Sequence, residues 1–306
     1  MPAQPLLGAP LAESMRAALR PEIESLRARG AAPSVTALTI AGDPASRYYA
    51  RGQKKVFESM GLAFVSREIL PTTTQAELDG WIDALNRDPA VTAVTIHMPL
   101  PAPLDPVRTL LRLDPDKDLE GTHPANVGML TLGPHDPSSC SARAAVELLR
   151  SVRPSLRGLE VTILGKGGVA GKPLLLMLLE QRKDAATPRV AGTGTRDVAA
   201  HTRASDVVFC AAGRPGLLRG DMVKPGAVVI DIGINEVAET GPDGKPILDA
   251  AGRPKTRVVG DAVYDEVAQV AAYVTPVPGG VGPVAQMVLV RNWAACAKRQ
   301  LARRGT

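Results

Sequence analysis

The chain has 306 residues, of which 45% are hydrophobic and 22% are charged, a composition typical of a globular protein with roughly two domains. These proportions exclude disordered, collagen-like and disulfide-scaffold proteins. The formal net charge is +5, but the basic residues are scattered and only 3% of residues are aromatic, so we predict a small anionic ligand and no nucleic-acid partner.

Helical and extended patterns alternate along the first third of the chain. Apolar residues recur with helical spacing in three segments, and short apolar runs typical of buried strands lie between them. The predicted helices lie at about 10–29, 54–61 and 75–86, and the predicted strands at 34–42, 62–70 and 91–98. Such alternation predicts a parallel sheet, whose ligands bind beyond the carboxyl ends of its strands.

The same pattern begins again in the second half of the chain. A strand that begins at residue 159 leads into a glycine-rich turn at 165–173, which opens a helix. The turn-rich stretch between 235 and 259 predicts a surface hairpin or loop without chemistry of its own. The remaining predicted elements are helices at about 141–153 and 284–303 and strands at 206–213 and 227–234.

Residue counts and spacings argue against a membrane-spanning or exported protein, a metal site and a disulfide framework. The chain has neither a run of 18 apolar residues nor a signal-peptide pattern, so we expect a cytoplasmic protein that does not enter a membrane. The four histidines lack HExxH spacing, and we predict no metal site. No disulfide framework is expected from three widely spaced cysteines, which are Cys140, Cys210 and Cys296.

The turn GKGGVAGKP at 165–173 has the strand–turn–helix context of a dinucleotide-binding site. Its glycines would allow a pyrophosphate to approach the backbone, although a tight turn without a ligand is equally compatible with the pattern. The acidic residue that binds the ribose of NAD about 20 positions further on is absent, so NADP is predicted over NAD. The residues assigned to the cofactor are Gly165, Lys166, Gly167, Gly171, Lys172 and Arg196.

A second loop, TPVPGGVGP at 275–283, contains three prolines and three glycines, which predicts a fixed backbone that shapes a binding site. With this loop the chain resembles the bacterial bifunctional methylenetetrahydrofolate dehydrogenase/cyclohydrolases. The resemblance is colinear over essentially the whole chain. It is carried by GDPASRYYARGQKKVFESMG, IHMPLP, DPDKDLEGTHPANVGML, GKGGVAGKP, AAGRPGLLRGDMVKPGAVVIDIGIN, VVGDAVYDEV and TPVPGGVGP.

The resemblance implies an α/β fold with two lobes and a cleft between them. A folate-binding catalytic lobe is expected at 1–144, completed by the final helix at 284–306, and a Rossmann-like NAD(P) lobe at 145–283. The resemblance also implies a tetrahydrofolate derivative as substrate and a homodimer formed through the second lobe. Further cofactor contacts are implied at Gly213, Gly233 and Ile234.

Three positions depart together from the family pattern. Counting forward from Tyr49 and backward from Gly61 puts Gln53 where the resemblance implies the catalytic lysine. His97 stands where the family has a glutamine partner of that lysine, and Glu120 replaces the aspartate that holds the pterin ring. Because a neutral amide cannot transfer a proton at pH 7, we expect the cyclohydrolase step to be lost or weak, while hydride transfer survives.

Three functions remain open on the sequence. The first is NADP-dependent oxidation of 5,10-methylenetetrahydrofolate, the second is transfer of its one-carbon unit to another substrate with His97 as base, and the third is non-catalytic binding of a folate or nucleotide. His97 is equally compatible with a packed residue at the rim of the site. The candidate catalytic residues are Tyr49, Gln53 and His97, and the candidate substrate-binding residues are Tyr49, Glu120, Pro276, Gly279 and Gly280.

Overall fold

A computed structural model of the protein describes residues 2–179, 184–241, 247–248, 252 and 254–304. The chain divides into two compact units, each built from two separate stretches of sequence. We call them the N-terminal unit, residues 12–140 and 286–306, and the C-terminal unit, residues 1–11 and 141–285.

The first half of the chain alternates between helices and strands, as its sequence predicts. In chain order its elements are β1 (Gln4–Pro5), α1 (Ala9–Ala28), β2 (Ser34–Ile40), α2 (Pro44–Ser59), β3 (Ala63–Ile69), α3 (Gln75–Arg87), β4 (Ala93–Ile96), α4 (Pro106–Arg112), α5 (Pro124–Met129) and α6 (Cys140–Val152).

The second half has the same alternation. Its elements are β5 (Glu160–Leu164), α7 (Gly171–Leu179), β6 (Thr187–Ala191), α8 (Val198–Arg203), β7 (Val207–Cys210), β8 (Val228–Asp231), β9 (Asn235–Ala238), β10 (Thr256–Val259), α9 (Tyr264–Val267), β11 (Tyr273–Val274) and α10 (Val281–Arg304).

The N-terminal unit contains a three-stranded parallel sheet in the order β3-β2-β4. Leu38 of β2, Ile69 of β3, Val94 of β4 and Ile82 of α3 are all fully buried in one apolar cluster. Removing these side chains from water holds the sheet against α3, and β4 runs parallel to its neighbour β2. The carboxyl ends of β2 and β4 therefore lie side by side.

The C-terminal unit contains a six-stranded parallel sheet in the order β1-β11-β8-β7-β5-β6. The chain passes from β5 to its neighbour β6 and then returns to β7 on the other side of β5. The strand order thus reverses between β5 and β7, and ligands of doubly wound sheets bind at such a reversal, beyond the carboxyl ends of the strands.

The structure confirms the predicted helices and strands and adds elements that the sequence patterns did not indicate. The short helices α4, α5, α8 and α9 span too few residues for periodicity to develop, and β6 is a partly exposed edge strand that contains a proline. The predicted surface hairpin is confirmed by the antiparallel pair β9 and β10. Between these strands, residues 242–246, 249–251 and 253 lie outside the described residues.

The first residues differ from the sequence-based expectation. The sequence places them in the N-terminal lobe, whereas β1 pairs with β11 at the edge of the C-terminal sheet, with Gln4 opposite Tyr273 and Pro5 opposite Val274. Such a two-residue strand carries no pattern of its own and forms only because β11 offers a free edge. The lobe boundaries at 144 and 283 stay a prediction. Among the described residues, no helix is long and apolar enough to cross a membrane.

Candidate active site

A cluster of polar side chains occupies the carboxyl edge of the sheet in the N-terminal unit. Helix α2 begins there because Pro44 supplies its first turn and Asp43 caps it, accepting hydrogen bonds from the backbone N–H groups of residues 45 and 46. Ser46, Tyr49 and Gln53 follow at a spacing of three and four residues, which places all three side chains on one face of the helix.

Glu120 is the acceptor at the centre of the cluster. Its Oε1 atom accepts hydrogen bonds from the Tyr49 hydroxyl at 3.3 Å, from Gln53 Nε2 at 3.2 Å and from the Thr95 hydroxyl at 3.0 Å. Gln53 is almost fully buried, with only 1% of its surface exposed. Tyr49 as a whole residue is 41% exposed, although its hydroxyl is held in the cluster.

His97 follows β4 directly and lies inside the same cluster. Its Nδ1 atom is 2.7 Å from the Ser46 hydroxyl, and its Nε2 atom is 3.2 Å from Gln53 Oε1. The ring lies 5.2 Å from the ring of Tyr49 and is only 5% exposed. Burial lowers the pKa of His97 to about 4, against the weaker opposing effect of Asp43. The imidazole is therefore neutral at pH 7.

Asp118 fixes the conformation of the loop that carries Glu120. This buried carboxylate accepts hydrogen bonds from the backbone N–H groups of Gly121 and His123 and from the Asn126 side chain. Gly121 has a φ angle of +65° and packs directly on the backbone of residue 138, where a Cβ atom would not fit. The position of Glu120 is consequently fixed by backbone contacts on both sides.

Glu120 and the acidic side chains beside it favour their protonated forms. Burial raises the pKa of Glu120, and the nearby Asp118 carboxylate adds to the rise, while the hydrogen bond from Thr95 opposes it. Burial and the Glu120 carboxylate likewise raise the pKa values of Tyr49 and Cys140 well above their ordinary values. Glu120 therefore binds its proton more tightly than a carboxyl group in water does, while His97 is neutral at pH 7.

Among the described residues, no lysine forms a hydrogen bond or an ion pair with the cluster. Lys54 follows Gln53 on α2, but its side chain is 55% exposed and its Nζ atom lies 3.8 Å from Glu58, one turn further along the helix surface. Its direction follows from the helix geometry, because successive residues point about 100° apart. Within the described part of the chain, no group of three or more histidine, cysteine or acidic side chains is arranged to hold a metal ion.

The glycine-rich turn of the C-terminal unit lies where the strand order reverses. Gly165 directly follows β5 with a φ angle of +119°, and a Cβ atom there would overlap the Ala211 carbonyl group after β7. A Cβ atom at Gly171 would overlap the Gly165 carbonyl group, whereas Gly167 borders open space. This glycine-lined cradle at the start of α7 fits the pyrophosphate of a dinucleotide.

Three cations surround this cradle. Lys166, Lys172 and Arg196 are all exposed. The stem of Lys166 lies along Gly192, just after β6, where a Cβ atom would come within 2.7 Å of Lys166 Cε. The residues after the second strand of such a unit border the ribose 2′ position of a bound dinucleotide, so this arrangement presents positive charge where a 2′-phosphate would lie.

Two buried carboxylates that the sequence patterns did not single out support the other loops of this edge. Asp261 accepts hydrogen bonds from the backbone N–H groups of residues 212–214, which include Gly213. Asp231 accepts hydrogen bonds from the N–H groups of Gly233 and Asp261, and burial raises its pKa to about 6. Asp231 is the last residue of the buried strand β8, whereas Asp261 follows the partly exposed strand β10, so no common sequence signal marks the two.

The remaining predicted positions also lie in the C-terminal unit. Ile234 is 74% exposed beside Gly233, whose close packing on Asp261 leaves no room for a Cβ atom. Gly279 has a φ angle of +113° and its carbonyl group accepts a hydrogen bond from the N–H group of Gly8 at 2.9 Å. The structure thus brings together Tyr49, Gln53, His97 and Glu120, and describes Pro276, Gly279 and Gly280 within the other unit.

These features define a two-unit α/β protein with a doubly wound, nucleotide-binding type of sheet in its C-terminal unit. Residues 6–120 match the model of the tetrahydrofolate dehydrogenase/cyclohydrolase catalytic domain, and residues 139–301 match that of the NAD(P)-binding domain of the same family. The chain belongs to the tetrahydrofolate dehydrogenase/cyclohydrolase family.

Individual relatives agree with this assignment. A bifunctional FolD protein of Roseiflexus sp. is 41% identical over 298 residues, which is 97% of both chains. The crystal structure of Trypanosoma brucei methylenetetrahydrofolate dehydrogenase-cyclohydrolase, complexed with NADP and an inhibitor, is similar with a TM-score of 0.87 and 34% identity, covering 98% of this chain and 99% of that one. The Campylobacter jejuni FolD structure is similar with a TM-score of 0.85 and 31% sequence identity, and the match covers 97% of this chain and 99% of that one.

Proposed function

We propose that this protein oxidises 5,10-methylenetetrahydrofolate to 5,10-methenyltetrahydrofolate with NADP, and that its cyclohydrolase step is lost or weak. The observation that carries this proposal is the buried Gln53, whose amide fills the centre of the polar cluster where a proton-transferring amine is implied by the family resemblance. Family membership supports the first half of the proposal. It also supports a cytoplasmic homodimer, which we propose on that ground.

The cofactor half of the reaction rests on the glycine-lined cradle. When bound, NADP supplies the acceptor for the hydride. We propose that Gly165, Gly167 and Gly171 receive its pyrophosphate, that Lys166, Lys172 and Arg196 balance its phosphate charges, and that Gly213, Gly233 and Ile234 line its nicotinamide half. The open space in front of Gly167 and the exposed cations around it support this assignment.

The folate half rests on Tyr49 and Glu120. A tyrosine ring offers a stacking surface for a planar pterin, and a carboxylate accepts hydrogen bonds from its ring N–H groups. We propose that Pro276, Gly279 and Gly280 complete the substrate contacts. Both ring nitrogens of His97 are engaged within the cluster, and its low pKa keeps it neutral, so we assign it no role as a base.

The activity is tested by incubating the purified protein with 5,10-methylenetetrahydrofolate and either NADP or NAD. Reduced cofactor and methenyl product are followed separately by their absorbance. We expect both to form in equal amounts with NADP, since hydride transfer requires positioning rather than the missing lysine. Consumption of the folate without reduced cofactor would instead favour transfer of the one-carbon unit to a second substrate.

NADP should bind more tightly than NAD by roughly 10- to 100-fold, because one charge-assisted pairing with the 2′-phosphate is worth about 1.5–3 kcal/mol. Calorimetric titration of the protein with each dinucleotide measures this ratio directly. Lys166→Ala should reduce the preference, whereas Lys55→Ala, which removes an exposed lysine from the N-terminal unit, serves as the matched control and should leave it unchanged. Equal affinities for NAD and NADP would contradict the charge assignment.

Tyr49→Ala and Glu120→Ala should each weaken binding of a folate analogue by about 1–3 kcal/mol, through the lost ring contact and the lost acceptor respectively. Tyr48→Ala provides the control, since Tyr48 precedes Tyr49 on the same helix but is 79% exposed. Fluorescence titration gives the dissociation constants. The site assignment is refuted if both cluster variants bind the analogue as tightly as the parent protein.

A further inference from the structure

Four side chains form a continuous chain of hydrogen bonds in the N-terminal unit, from Ser46 through His97 and Gln53 to Glu120. The three links span 2.7 Å, 3.2 Å and 3.2 Å. Gln53 and His97, the two middle members, are buried, and each is hydrogen-bonded on both sides to a neighbour in the chain. Their proton arrangement is therefore decided by the two ends of the chain.

The carboxylate end determines the polarity of every link. An ionised carboxylate only accepts hydrogen bonds, so Gln53 must turn its NH₂ group toward Glu120 and its carbonyl oxygen toward His97. That oxygen also only accepts, so the proton of the neutral imidazole must sit on Nε2. Nδ1 is then the acceptor, and the Ser46 hydroxyl donates to it while accepting the backbone N–H group of Ile40 at 2.9 Å.

Protonation of Glu120 allows all three links to reverse. A protonated Glu120 can donate to the Gln53 carbonyl oxygen once the amide has turned over, which brings the NH₂ group to His97 Nε2. The imidazole proton must then sit on Nδ1 and be donated to Ser46. Apart from the exchangeable protons, only the amide group of Gln53 has to rotate.

We infer that His97 is a positioning residue whose tautomer is coupled to the protonation state of Glu120 through the amide of Gln53. The inference rests on the proposed function for its consequence, because the coupling sets whether the cluster offers acceptors or donors to a folate ring. An imidazole suits this role since each neutral tautomer has one donor and one acceptor at fixed ends.

Several charged and titratable groups face Glu120 and His97. Tyr49 of α2 and Cys140 of α6 stay protonated because their pKa values are raised well above the ordinary range. Burial also raises the pKa of Asp118, which lies on the same loop as Glu120 and whose charge raises the pKa of Glu120. Arg291 of α10 acts on Cys140, and Asp43 acts on His97. Because the pKa of Glu120 is raised and that of His97 falls to about 4, Glu120 titrates while the imidazole is still neutral.

The test is nitrogen-15 NMR of the His97 ring in protein labelled at histidine, with the Glu120 carboxyl group followed by carbon-13. Where the carbon-13 signal shows an ionised Glu120, we expect a protonated Nε2 and an unprotonated Nδ1. On lowering the pH through the Glu120 titration, the signals of the two ring nitrogens should change places, so that Nδ1 becomes the protonated one, before either shows the imidazolium form. His97 signals that stay constant while Glu120 titrates would overturn the inference, as would a protonated Nδ1 beside an ionised Glu120.

Two variants separate coupling from a merely structural role. Gln53→Met keeps the length of the side chain without its polar atoms and should abolish the response of His97 to Glu120. Thr95→Val, the matched control, removes a donor to the same Glu120 oxygen but lies outside the chain, so the response should persist. Retention of the response in Gln53→Met would overturn the inference. If Gln53→Met fails to fold, Glu120→Gln, which cannot titrate, must abolish the pH response instead.

The functional consequence is measured separately. Between a pH above and a pH below the Glu120 titration, KM for methylenetetrahydrofolate should rise about tenfold or more, the cost of one lost charge-assisted hydrogen bond, while KM for NADP stays constant. The NMR response does not require turnover. If His97 responds to Glu120 but the protein has no dehydrogenase activity, the inference stands and the proposed function is refuted. If the protein is an active dehydrogenase but His97 does not respond, the proposed function stands and the inference is refuted.

Discussion

Supplied 5,10-methenyltetrahydrofolate should be hydrolysed by the purified protein at little more than the buffer rate, even where the dehydrogenase step is fast. Attack of water on the methenyl carbon needs a group that exchanges protons near pH 7, and loss of a general acid or base typically costs about 10²–10⁴-fold in rate. Gln53 is a neutral amide, and His97 is buried with a pKa of about 4. Loss of methenyl absorbance, corrected for buffer, measures the rate.

Gln53→Lys should restore part of this hydrolysis, because it places an amine beside Glu120. The recovery should be incomplete, since His97 Nε2 donates toward position 53 and would face an ammonium group without an acceptor. Adding His97→Gln should raise the rate further. Lys54→Gln is the matched control and should change nothing, because Lys54 points to solvent and pairs with Glu58. Hydrolysis by the parent protein well above the buffer rate would refute the proposed loss.

The N-terminal unit should lose about 3 kcal/mol of stability through His97 alone as the pH falls from 7 to 4. The pKa of His97 is about 4 in the folded protein and 6.5 when unfolded. Because the pKa of His97 is lower in the folded protein, its contribution to stability is fully present above pH 6.5. The contribution is lost at lower pH, where the unfolded chain binds a proton and the folded chain does not.

Urea denaturation followed by tryptophan fluorescence measures this dependence in the right unit, because Trp81 and Trp293 both belong to the N-terminal unit. His97→Gln should flatten the decline between pH 7 and 4, whereas His201→Gln, at an exposed position, should leave it unchanged. A parent protein whose stability in this unit is the same at pH 7 and pH 4.5 would show that the His97 pKa is not depressed.

The fold followed from the sequence wherever a segment could be recognised by itself. Fully buried strands such as Val228–Asp231 are continuous apolar runs, and the glycine turn after β5 has a strand before it and a helix after it. β1 and β11 could not be predicted, because two residues carry no period and their pairing joins distant parts of the chain. The edge strand β6 was missed for a related reason, since its residues are only partly buried.

The sequence predicted which residues form most of the candidate site, but not how their side chains are arranged. Counting within the GDPASRYYARGQKKVFESMG block located Gln53, and other motifs located His97 and Glu120, but no spacing reveals that one glutamate oxygen collects three donors. Thr95 was not anticipated, because in sequence it is one more β-branched residue of a buried strand. The engagement of both His97 nitrogens depends on Ser46, which lies 51 positions away.

Neither unit is a continuous stretch of chain, and this affects how the protein is made. The C-terminal sheet gains its edge strand from residues 4 and 5, and the N-terminal unit requires α10 for its buried Trp293. Because a ribosome releases the chain from its N-terminus, neither unit can reach its final packing until nearly the whole sequence has emerged. A gene fragment cut at an apparent domain boundary would therefore encode a half with an open sheet edge or an incomplete core.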